Sequence, residues 1–115
     1  MRVYALDRNP TVTLAAEELA RCLSKMAAAP VEAQPTDRFD GQGAIYVGTS
    51  EHFDGILPLP LVQDKSWDDA WGIKSVGRSL VIAGINPRSA LIAAYEYLRM
   101  LGAEWLEASG SVLLR

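Results

Sequence analysis

Few groups in this chain are able to do chemistry, and their spacing decides what they can do. One histidine, His52, and one cysteine, Cys22, stand among fourteen acidic and eleven basic residues. A zinc centre needs several imidazole, thiolate or carboxylate ligands brought together, often two histidines on one helical face. His52 has no such partner by spacing, and it reads as a surface-loop histidine near the charges of Glu51 and Asp54. A lone cysteine excludes an internal disulfide and a multi-thiolate metal site. Cys22 falls on the apolar face of a predicted helix, where a thiol acts as a small inert hydrophobe. Asp68 and Asp69 are adjacent, so in an extended segment they point to opposite faces and cannot share a proton. Glu17 and Glu18 sit near a helix start, where the macrodipole already favours negative charge. Gly41-x-Gly43 and Gly48-Thr49-Ser50 do not continue into a dinucleotide or P-loop fingerprint. No Gly-x-Ser-x-Gly nucleophile turn is present. No cofactor is called for, and an independent hydrolase is not expected.

The elements that would position these groups follow from hydrophobic period and capping signals. Residues 2–6 read as a short strand. Asn9-Pro10 can cap and open a helix, and residues 12–28 carry the helical period, with Val12, Ala15, Ala16, Leu19, Cys22, Leu23 and Met26 on one face. Glu17 and Arg21 are spaced as a favourable ion pair. Pro30 ends that helix. Residues 31–34 form a short strand, and 44–48 are a buried apolar strand bounded by glycine. Residues 50–69 form a long loop. Residues 71–76 alternate, with Trp71, Ile73 and Ser75 on one face. Gly77-Arg78-Ser79 turns the chain into the apolar strand 80–84, completing a hairpin. Asn86-Pro87 repeats the capping signal, and a second helix runs over 87–101 with Leu91, Ala94, Tyr95, Leu98 and Leu101 inward. Gly102 supplies its left-handed stop. Residues 104–106 and 111–114 are read as short final strands or an extended exit. The expected fold is α+β, a mixed sheet of about five or six strands with two helices on one face, in the order β-α-β-β-β-β-α-β.

Composition fits that reading. The chain has 115 residues, a formal net charge of −3, half its residues hydrophobic and 22% charged. One domain spanning residues 1–115 accommodates this length. The apolar content excludes a disordered chain. No uncharged apolar run approaches the roughly 20 residues needed to cross a bilayer, so no membrane partner is expected. Mild acidity argues against nucleic acid, whose phosphates need clustered Lys and Arg. The first residues do not form a signal peptide, because Asp7 breaks the apolar stretch and no cleavage site follows. The expected location is therefore cytoplasmic, or secreted with a leader absent from this sequence. No repeat of solenoid length appears.

Three features ask for an explanation beyond a core. The outer face of the second helix holds Arg88, Ser89, Ile92, Glu96, Arg99 and Met100, a charged surface with apolar residues set in it. It fits either ordinary surface or a docking patch. The long loop contains Phe53, Ile56, Leu57, Leu59, Leu61 and Val62. Some of these must fold back on the sheet, and the rest would mark a partner site. Trp71 and Trp105 are expected to pack in the core, whereas Trp67 in the loop, with Asp68 and Asp69 beside it, could stack on a sugar ring.

The stretch from Asp68-Asp69 through Ile73, Leu80 to Gly84, Tyr95 to Leu98, Leu101-Gly102 and Trp105 resembles a known domain. That domain is the small N-terminal one preceding the catalytic barrel of bacterial alpha-glucuronidases and related glycosidases. It is more distantly similar to the equivalent domain of beta-N-acetylhexosaminidases. Ala16-Glu17-Glu18-Leu19 and Ile45-Tyr46-Val47-Gly48-Thr49 fit the first half of the pattern. Ser89 and Ala90 stand where those domains often have glycine. The resemblance implies a zincin-like fold without a metal site, and catalytic carboxylates that lie in a following barrel. No catalytic residue carries over. The resulting expectation is an accessory domain of a glycoside hydrolase acting on a substrate such as glucuronoxylan or an amino-sugar glycan. Its partner is the barrel of the same chain, met through Arg88, Ile92, Glu96, Met100, Leu57 and Leu59. The alternative is a carbohydrate-binding module using Trp67, Asp68 and Asp69.

Overall fold

The computed structural model describes residues 1–57, 59 and 69–109, with the side chains described up to residue 102. The chain runs β1 (Arg2–Ala5), α1 (Pro10–Ala27), β2 (Glu32–Pro35), β3 (Ile45–Thr49), a 3-10 turn (Ser50–Phe53), β4 (Trp71–Val76), β5 (Ser79–Gly84) and α2 (Pro87–Ser109). One sheet forms in the order β2-β1-β3-β5-β4. Its pairings are parallel except for the β4–β5 hairpin. Parallel neighbours need a long crossover, and α1 supplies the one between β1 and β2. Pro35 is tolerated because β2 is an edge strand.

Both Asn-Pro pairs start helices, as their chemistry predicts. Asn9 accepts the Thr11 N–H at 2.8 Å through its side chain, with Pro10 in the first turn. Asn86 does the same for the Ser89 N–H, also at 2.8 Å. Each carboxamide satisfies a donor that the first helical turn leaves open. At its other end α1 closes on Ala28, which takes a left-handed conformation at φ 51°.

The strand register divides the sheet into two faces. Val3, Ala5, Ile45, Val47 and Ile82 meet Val12, Ala15, Ala16, Leu19 and Ala20 of α1 and Ala90, Ala93 and Ala94 of α2. Both helices therefore cover one face, giving the α+β architecture that the sequence predicts. The opposite face carries Leu6, Tyr46, Phe53, Val81 and Ala83 and is covered by loop residues, with Phe39, Ile56 and Leu57 packed against it. Tyr46 stacks on Tyr4 at 5.3 Å and receives the edge of Phe39 at 4.8 Å between ring centroids.

Several local expectations change. α2 buries Ser89, Ala90, Ala93 and Ala94, while Tyr95 is 48% exposed. Of the expected stripe, Ala94 is buried and Leu91 and Leu98 pack half-buried against the core, while Tyr95 turns outward and Ser89, Ala90 and Ala93 turn in. Close approach selects the small ones: a Cβ on Gly84 would lie 2.1 Å from the Ala90 nitrogen. In α1, Arg21 pairs with Glu18 at 2.6 Å in place of Glu17, and Cys22 is only half-buried. Trp71 sits on edge strand β4 and is 39% exposed, not core. Gly102 does not stop α2, and residues 104–106, expected to be extended, lie within the helix. The described residues therefore end on α2, without the final strand of the expected order. Residues 111–114 lie outside the described residues.

Candidate functional site

The chain ends of β1, β3 and β5 emerge together, and the segments after them bring polar side chains to one edge of the sheet. A cavity of about 360 Å³ lies there, lined by Asp7, Thr49, Glu51, Ile85, Asn86, Pro87 and Arg88. Crevices outside the carboxyl ends of parallel strands are where open α/β sheets commonly hold ligands. Asp7 follows β1, while Glu51 and His52 follow β3, and the parallel β1–β3 pairing makes them neighbours. One potential ligand atom from each of Asp7, Glu51 and His52 lies within 4.8 Å of the others. His52 Nε2 stands 4.0 Å from Asp7 Oδ2. Spacing along the sequence offers His52 no distant partner, and the fold supplies one in Asp7. The only available signal is the shared position of these residues just past two strand ends.

What this edge does chemically is set by bonds already made. Asp7 accepts the Asn9 N–H at 3.1 Å, which fixes the entry to α1. Glu51 accepts the Thr49 hydroxyl at 2.9 Å. At the entry to α2, Asp69 accepts Arg88 Nε at 3.0 Å, and its ion pair with the Arg88 terminal nitrogen closes to 2.8 Å. The Ser89 hydroxyl lies within bonding distance of both Asp69 and Asn86, at 3.0 and 2.9 Å. Its single hydrogen serves one acceptor at a time. The Arg88 hydrogen bond, assisted by that of Ser89, holds the Asp69 carboxyl below its ordinary value. Asp7 and Asp69 thus fasten the starts of α1 and α2, and Glu51 ties back to the end of β3.

The other predicted site residues are scattered. Arg88, Ile92, Glu96 and Met100 recur every four residues and form one ridge of α2. Arg88 and Met100 are exposed and Ile92 and Glu96 half-buried. Arg99 pairs with Glu96 at 2.7 Å. Leu57 and Leu59 are half-buried, and their methyl groups lie 3.3 and 3.1 Å from where a Gly72 Cβ would stand. They pack on their own sheet instead of pointing outward together. Asp69 is exposed but engaged with α2, and Trp67 and Asp68 lie outside the described residues. Phe53, by contrast, is fully buried, so that loop does fold back. No helix among the described residues is long and apolar enough to cross a membrane.

Comparison with known proteins adds to this geometry. A family model described as "Glycosyl hydrolase family 67 N-terminus" matches residues 1–97. No curated protein sequence matches the chain. Among solved structures, the chain is similar to a GH138 enzyme targeting pectin rhamnogalacturonan II, with a TM-score of 0.60 at 18% identity. The match covers 99% of this chain and 11% of that one, so the chain spans about a ninth of that enzyme's length. At this identity the likeness concerns the fold.

Proposed function

We propose, from the premise that this chain belongs to the glycosyl hydrolase family 67 N-terminal family, that residues 1–115 form one accessory domain docked on a catalytic barrel of the same polypeptide. The family is a non-catalytic part of glycoside hydrolases, and the fastening of Asp7, Glu51 and Asp69 to local backbone and helix entries accords with that role. The observation that carries the docking reading is the α2 ridge. Met100 is 41% exposed and Ile92 lies on the same line, alternating with Arg88 and Glu96, whose charges are paired to Asp69 and Arg99. Apolar side chains set among paired charges suit the mixed surface of an interface between domains. On this reading the parent substrate is glucuronoxylan or an amino-sugar glycan, and the location is cytoplasmic or secreted.

The test uses the isolated domain and the longer polypeptide side by side. Hydrogen exchange of the amides from 88 to 100 is expected to slow when the following domain is attached. Ile92→Glu with Met100→Glu is expected to abolish that slowing while leaving the melting temperature of the isolated domain within a few degrees. Equal exchange in both forms refutes docking through this ridge. A carbohydrate-contact reading is favoured by a separate observation, the exposed indole of Trp71 on the sheet edge. Saturable fluorescence change of the isolated domain with xylo-oligosaccharides or uronic acids, lost in Trp71→Ala, would support it, and a flat titration would dismiss it.

A further inference from the structure

We draw no further inference here: the strongest candidate, the Asp7, Glu51 and His52 cluster in the crevice beyond the carboxyl ends of β1 and β3, is an acidic cluster whose carboxylates already accept the Asn9 N–H and the Thr49 hydroxyl, and no second observation points to a ligand.

Discussion

Replacing each of two glycines by alanine should move stability in opposite directions. Gly84 ends β5 directly beneath the first turn of α2. A Cβ there would stand 2.1 Å from the Ala90 nitrogen, 2.4 Å from the Ser89 carbonyl carbon and 2.6 Å from the Ser89 Cβ. Two of these atoms are backbone, so no rotamer change relieves the overlap and the helix start must lift. Overpacking of a core costs about 1–3 kcal/mol where side chains can yield. Gly84→Ala should reach the upper end of that range or exceed it, because the Asn86 cap would shift too. Gly102 differs: it lies inside α2, and an added Cβ meets nothing within 4 Å among the described residues. Its alanine variant should gain about 0.5–1 kcal/mol from helix propensity alone. Urea denaturation of the two single variants and the parent, followed by circular dichroism, reads both effects. The reasoning fails if Gly84→Ala is neutral, since the close approach of β5 and α2 would then be wrong. It also fails if Gly102→Ala destabilises, as expected of a glycine needed for a left-handed helix stop.

Other contacts give three further expected outcomes. Phe53→Ala should cost about 3–5 kcal/mol, because the ring is fully buried on the face opposite α1 and α2; a loss below about 1 kcal/mol in chemical denaturation would show that the loop does not close that face. Burial first, then its bond to Asp40, pushes the Tyr46 phenol up to about 12. Because the folded value lies above the unfolded one near 10, stability is kept below pH ~10 and is lost as pH rises through about 12. Tyr46→Phe should remove that part of the alkaline decline, and an unchanged profile would refute it. Asp69 is depressed by Arg88, so its contribution is present above the ordinary carboxylate value and is lost as pH falls through the lower folded one. Asp69→Asn should flatten the acid limb of a thermal-melt series, and parallel limbs would deny the clasp any role.

The elements are legible where a local signal carries them. Asn9-Pro10 and Asn86-Pro87 announce helix starts through chemistry confined to three or four residues, and both caps form. The run Ile45 to Thr49 is apolar because it is buried on both faces, and it lies at the centre of the sheet. Periodicity finds Leu91, Ala94 and Leu98 on the packed face of α2 but places Tyr95 inward and Ser89 outward, the reverse of what the structure shows. At the start of the helix the contact is set by how closely the backbone approaches Gly84, which selects Ser89 and Ala90. Glu18 and Glu17 both stand within reach of Arg21 by spacing, and only side-chain geometry picks Glu18. The neighbourhood of Asp7 and His52 is hidden in the sequence for a different reason. It depends on β1 pairing with β3 across roughly forty residues of chain, and no local signal encodes that.

Where the polar groups are fastened bears on where function can reside. At the carboxyl edge of the sheet, Asn9, Asn86, Asp7 and Ser89 all bond to groups that begin a helix. A catalytic carboxylate needs a proton-transfer partner in the substrate and a pKa matched to that task, whereas the Asp69 carboxyl is stabilised as the anion by the Arg88 beside it. The surfaces less committed to the fold lie elsewhere. Trp71 stands opposite Gly84 in the β4–β5 register, and Gly84 lies under Ala90. Asp69, two residues before Trp71, grips Arg88 at the start of the α2 ridge. The exposed indole and the Ile92–Met100 strip therefore begin at one corner of the domain, where the sheet edge meets the last helix. Trp71 fluorescence thus offers a local reporter of docking, expected to shift when the following domain is attached and to revert in the Ile92→Glu, Met100→Glu variant. A shift that persists in that variant would place the contact on the sheet edge instead of the helix.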